Sequence, residues 1–266
     1  MSNNRKRKPK PRSISGVALT TLLYKEIKRF LRIWPQTILP PAVTTSLYFL
    51  IFGTLIGNRI GEVNGLSYMD FIVPGVVLMS VITSAYSNVV SSFFSTKFQR
   101  NIEELIVSPV PNWVIIAGYC GGGVVRSAIV GTVILLIANV FTHITIHHWG
   151  ITVSIFLLTA MTFSLAGFIN ATFAKTFDDI AIVPNFVLTP LSYLGGVFYS
   201  IQMLPEFWQK VSLVNPIFYM INAFRYGVVG NSDIDIPTTF IMLSGLVVVL
   251  ACFSLWLLHK GIGIRS

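Results

Sequence analysis

The chain has 266 residues, of which 53% are hydrophobic and only 11% charged, with a mean hydropathy of +0.73. Soluble domains of this size carry about 25% charged residues, so the composition excludes an ordinary soluble enzyme and fits one membrane domain. Much of the net charge of +9 is local, since Arg5, Lys6, Arg7, Lys8, Lys10 and Arg12 precede the first acidic residue. The basic balance therefore describes a cytoplasmic tail, residues 1–16, on anionic membrane lipid, and no nucleic-acid partner is expected.

Residues 17–36 predict an amphipathic interfacial helix. Leu23, Ile27, Phe30, Leu31 and Trp34 fall within about 100° of one another on a helical wheel, with Lys25, Lys28, Arg29 and Arg32 nearly opposite. Its basic face is available to lipid headgroups or to a soluble partner. Apolar stretches follow at 38–57, 71–94, 113–141, 151–173, 180–198 and 238–258, each long enough to cross about 30 Å of hydrocarbon. Because lipid offers no partner to open backbone groups, residues 37–266 predict an all-α polytopic fold with six transmembrane helices. Lys and Arg cluster before residue 38 and recur at Lys97, Arg100, Lys175, Lys260 and Arg265, against Arg59, Lys210 and Arg225 on the other side. That asymmetry puts both termini in the cytoplasm.

Between the second and third spans, Ile102, Leu105 and Ile106 give an apolar stripe beside Glu103 and Glu104 before Pro109 and Pro111 end the turn. This reads as a short amphipathic helix, either a solvated connector or a docking knob. Gly118, Gly121, Gly122 and Gly123 follow, but with no preceding strand and no Lys-Ser/Thr pair they are not a phosphate loop. In a membrane helix such glycines permit a kink or a close helix approach. Arg126 is the one formally charged residue inside a predicted span, where it snorkels, pairs helices or faces a pathway. No predicted span holds Asp or Glu, which disfavours ion-coupled transport. His143, His147 and His148 sit in a short loop without a carboxylate or thiol nearby, so no metal is assigned to them. Cys120 and Cys252 read as packing residues.

Lys175, Asp178 and Asp179 form a second, shorter cytoplasmic contact. From 199 to 236 the apolar runs are broken by Pro205, Asn215-Pro216, Asn222 and Arg225. A re-entrant external hairpin between spans five and six fits best, and the alternative, a seventh span at about 211–230, violates the charge asymmetry.

Three segments carry a family resemblance. EELIVSPVPNWVIIAGY, Glu103 to Tyr119, and PLSYLGGVFYSIQMLPEFWQKVSLVNPIFYMINAFRYGVVG, Pro190 to Gly230, resemble the coupling segment and C-terminal signature of ABC-2-type exporter permeases. The helix before span one matches in position. The resemblance implies a half-transporter in the bacterial inner membrane: two copies of this chain above two copies of a separate cytoplasmic ATPase that carries the ATP and Mg, with no cofactor on this chain. It implies further that Ile102, Glu103, Glu104 and Leu105 form the coupling helix, that the Lys25, Lys28 and Arg29 face meets the ATPase, and that Asp178 and Asp179 lie in a second coupling loop. The hairpin with Pro205, Asn215, Pro216 and Arg225 would cap the external side. The implied cargo is a hydrophobic or amphipathic small molecule, a lipid or a glycan, and the rival function is a non-transport membrane scaffold or sensor.

Overall fold

The structure is a computed structural model that describes residues 14–263; the basic run before residue 14 and Arg265 lie outside the described residues. Helix α1 (Ile14–Arg32) is followed after Ile33 by α2 (Trp34–Tyr48), which carries Pro40 and Pro41 and continues through a π-helical stretch, Phe49–Ile56, into α3 (Gly57–Ile60). A small antiparallel hairpin, β1 (Glu62–Val63) with β2 (Leu66–Ser67), leads to α4 (Tyr68–Phe98). Then come α5 (Ile102–Val107), α6 (Asn112–Phe141), α7 (Trp149–Phe173), α8 (Phe177–Val183), α9 (Thr189–Leu194), α10 (Glu206–Val214), α11 (Pro216–Val229) and α12 (Ile236–Lys260). That hairpin apart, the described fold is all-α.

Among the described residues, five helical stretches are long and apolar enough to cross a membrane: Trp34–Ile56, Tyr68–Phe98, Asn112–Phe141, Trp149–Phe173 and Ile236–Lys260. The protein is thus polytopic. The sequence reading expects a sixth crossing at 180–198, and there the chain is helical but interrupted. Pro184 opens a π-helical turn, Pro184–Leu188, between α8 and α9, and α9 ends before Gly195 and Gly196. Pro184 and Pro190 lack the N–H that an unbroken ladder needs, and the Thr189 hydroxyl instead donates to the Pro184 carbonyl at 2.9 Å. The segment expected as a hairpin is α10 followed by α11, hinged at Asn215.

Helix α4 is the central post. In its most apolar stretch 78% of residues are buried, against 17% for the α2 stretch and for α12, which stay largely exposed. Helices α6, α7 and α11 pack around α4. Near its C-terminal end, Phe93 meets Tyr119 of α6 (ring centroids 5.2 Å apart) and Phe168 of α7 (4.2 Å), while the Tyr119 hydroxyl donates to Thr96 Oγ1 at 3.0 Å.

Helix α1 lies across α6. Its buried row is Leu22, Glu26 and Phe30, whereas Leu31 and Trp34, placed on the apolar face by the helical wheel, are exposed. The glycines of α6 cause the offset. A Cβ at Gly118 would stand 2.7 Å from Leu22 Cβ, and one at Gly122 would stand 2.6 Å from Glu26 Cβ. Only a bare backbone lets α1 come this close. Substituting Gly122→Leu will therefore push α1 off α6 and destabilise the fold by roughly 1–3 kcal/mol, seen as a lower thermal midpoint in detergent. Gly245→Ala, where nothing lies within 4 Å of an added Cβ, is the control expected to stay near wild type.

Candidate functional site

Three sequence-predicted elements gather at one end of the bundle: the basic face of α1, α5 and the loop around Lys175. The chain leaves α4 through Arg100, whose φ of 61° lies in the left-handed region, and turns back into α5. Ile102 is buried and pins α5 to the core, Leu105 is half-buried, and Glu103 and Glu104 project outward. Two recesses flank α5. One, of about 520 Å³, places Glu104 and Leu105 opposite Lys25 and Thr21 of α1. The other, of about 400 Å³, places Ile102 and Glu103 with Lys97, Arg100, Lys175 and Gly263. Lys97 bridges this end from α4, its Nζ donating to the carbonyls of Thr172 at 2.6 Å and Ala174 at 2.8 Å.

The basic face of α1 divides. Lys25 is exposed and Lys28 sits over the Tyr24 ring at 5.8 Å, so both are surface groups. Arg29 turns inward: Nη2 donates to the Asn88 carbonyl at 3.0 Å and to Asn88 Oδ1 at 2.8 Å, and Nε lies 3.3 Å from Glu26 Oε2. Glu26, 1% exposed, also accepts the Ser92 hydroxyl at 2.7 Å. This buried cluster joins α1 to α4 and makes Arg29 a structural clamp. At the next loop Asp178 is exposed, while Asp179 builds a capping box on α8, accepting the N–H groups of Lys175 at 2.8 Å and Thr176 at 3.0 Å. Those bonds, that of Lys175 first, hold its carboxyl below the ordinary value of 3.8.

At the opposite end Pro205 caps α10 and Pro216 starts α11. Asn215 joins them, accepting the Ile217 N–H at 3.0 Å and donating to the Leu191 carbonyl of α9 at 2.6 Å. Arg225 is 2% exposed. It donates to the carbonyls of Phe71 at 3.2 Å and Gly196 at 2.6 Å and to Asn222 Oδ1 at 3.3 Å, with its guanidinium 3.9 Å from the centre of the Phe71 ring. Asn215 and Arg225 thus supply donors to carbonyls at the interrupted end of α9.

Between these ends a groove of about 450 Å³ runs along α2, α4 and α9. Thr37, Thr44, Thr45 and Tyr48 line it from α2, Ser80, Thr83, Ser84 and Ser87 from α4, and Thr189 and Tyr193 from α9; Arg126 of α6 completes it. Thr45 Oγ1 and Ser80 Oγ are 3.5 Å apart, and the Tyr48 and Tyr193 hydroxyls meet at 3.0 Å. Arg126 Nε and Ser84 Oγ are buried without a hydrogen-bond partner.

Residues 17–229 match the model of the ABC-2 type transporter family. The chain belongs to that family. This ABC-2 permease is 57% identical over 252 residues to the inner membrane transport permease YadH of Escherichia coli (strain K12), across 94% of this chain and 98% of that one. Nodulation protein J of Rhizobium leguminosarum bv. viciae is 22% identical over 188 residues, 69% of this chain and 71% of its own. Nodulation protein J of Neorhizobium galegae is 23% identical over 209 residues, 77% and 79% respectively. The protein is a multi-pass inner-membrane transport permease.

Sequence reasoning passed over Glu26, Asn88 and Ser92 and the groove of the permease. The signals were a lone acid among the bases of α1 and hydroxyls spaced three and four apart at Ser80, Thr83, Ser84 and Ser87. Glu26→Ala will leave Arg29 half-paired and destabilise the permease by roughly 1–3 kcal/mol, measured as a lower thermal midpoint; an unchanged midpoint would remove the clamp. The Asp179 cap has a pH signature. Because its folded carboxyl titrates below 3.8, its stabilisation is complete above that value and disappears as pH falls through the lower folded one. The protection of the Lys175 and Thr176 backbone amides, exchange measured relative to the intrinsic rate at each pH, will fall over that interval, and Asp179→Ala will show low protection throughout.

Proposed function

We propose that the permease is the membrane half of an ATP-driven exporter. Two copies enclose a path, and two copies of a separate ATPase, which bind the ATP and Mg, dock on the α5 end. In this reading both termini are cytoplasmic, the interrupted helix at 180–198 makes a sixth crossing, and α10 with α11 forms a re-entrant cap on the external side. The carrying observation is the geometry of α5: a short helix anchored by Ile102, with Glu103 and Glu104 exposed and a recess on each side. A protruding acidic helix beside the exposed Lys25 of α1, a turn before the exposed Lys28, suits a partner that grips both signs of charge. The clamp of Glu26 and Arg29 to Asn88 and Ser92 supports a mechanical route from that end to α4, one wall of the groove.

ATP binding would draw the ATPase pair together, and the motion would pass through α5 and α1 into α4. Asp178, exposed beside the capped start of α8, fits a secondary contact. Substituting both Glu103→Ala and Glu104→Ala is expected to cut recovery of the ATPase in a mild-detergent pull-down from native membranes by about tenfold, or to leave hydrolysis running without transport. Wild-type docking together with wild-type transport in that double variant would overturn the role of α5.

A further inference from the structure

The groove has a chemical polarity that its permease role does not by itself explain. The glycines of α6 set the register against α4: a Cβ at Gly123 would face the Ala85 carbonyl at 3.0 Å and Val89 Cγ2 at 2.8 Å, and one at Gly131 would face Val81 Cγ2 at 3.1 Å. Arg126 therefore lies level with Ser84, about halfway along both helices. At this level two polar atoms, Arg126 Nε and Ser84 Oγ, are buried without a partner. A guanidinium at such depth is costly unless something of opposite charge meets it. None of the residues lining the groove is acidic, and among the described residues Arg126 forms no salt bridge.

Hydroxyls elsewhere in the groove are largely spent on their own helices. Ser80 donates to the Val76 carbonyl at 3.1 Å, Thr83 to that of Met79 at 3.0 Å, and Thr37 to that of Trp34 at 3.2 Å. The buried donors left without a partner are Arg126 Nε and Ser84 Oγ. Away from them, among hydroxyls bonded back to their own helices, Val76, Met79, Tyr48 and Tyr193 supply apolar and aromatic surface. Such a surface offers one cationic hydrogen-bonding point and an apolar track beside it. A neutral sugar would leave the charge unmet, and a cation would be repelled.

We infer that the groove binds an anionic amphiphile, an alkyl chain bearing one phosphate, sulfate or carboxylate head, with the head on Arg126 and Ser84 and the chain along Val76 and Met79. This rests on reading the chain as a permease and names its substrate class. A bilayer phospholipid and a soluble amphiphile share that chemistry, so both are tested.

The probe is radiolabelled dodecyl phosphate, bound at equilibrium to the full-length permease in phosphatidylcholine nanodiscs without ATPase and corrected for empty discs. Dodecyl maltoside and dodecyltrimethylammonium serve as neutral and cationic competitors. Saturable binding is expected that the other two do not displace, that weakens about tenfold or more in Arg126→Gln, and that Arg126→Lys largely keeps. Displacement by the neutral or cationic compound in the wild type overturns the inference without reference to any variant, as does unchanged affinity in Arg126→Gln. Phosphatidylglycerol added to the discs separates the two sources: competition assigns the site to lipid, and no competition assigns it to a soluble amphiphile. Because binding is read without the ATPase, failure of docking at Glu103 and Glu104 leaves this result standing. Intact docking with no dodecyl phosphate binding defeats the substrate class alone.

Discussion

A carboxylate removed from water must be fully met by hydrogen bonds or charge, and Glu26 imposes that condition on the way α1 joins the bundle. Ser92 serves one of its oxygens and Arg29 approaches the other, while Arg29 is itself fixed by Asn88. The arrangement exists only because Gly118 and Gly122 of α6 let α1 sink far enough to bury it. Replacing such a pair by apolar residues is often no loss in stability. What the ionic version adds here is registry, since the two charges fix α1 against particular residues of α4 where a greasy contact would tolerate sliding.

From that registry the α5 end follows. With α1 locked, Lys25 stands beside α5, and one recess opens between the two helices. Lys97 ties the end of α4 to the carbonyls closing α7, which brings Lys175 and Gly263 to the second recess. Residues far apart in the chain thus form one face, and α4, touching both the clamp and the groove, connects that face to the membrane interior.

How much of this was legible depends on what each signal measures. Hydropathy and length locate α4, α6, α7 and α12 because lipid demands long apolar helices and little else. The same signal reads 180–198 as one unbroken helix, since it counts side chains and ignores the N–H groups missing at Pro184 and Pro190. A helical wheel registers polarity but not which polar residue is swallowed, so Arg29 reads as surface and Glu26 passes unnoticed until the glycines of α6 are laid against them. Arg225 reads as a break in an apolar run, whereas its carbonyl partners, Phe71 and Gly196, come from distant parts of the chain. The groove escapes because averaging over a window erases a ladder of single hydroxyls.

The paired prolines of α2 give the groove walls of unequal compliance. In an uninterrupted helix the residues at positions 40 and 41 would donate to the carbonyls of Gln36 and Thr37, and proline has no N–H to do so. All four of these residues line the groove. Flexing α2 at this point breaks no ladder bond, because none exists there, whereas the α4 wall is held on several sides by α6, α7 and α11. Changes in groove width therefore fall on the α2 side, as the soft jaw of a vice moves against the fixed one.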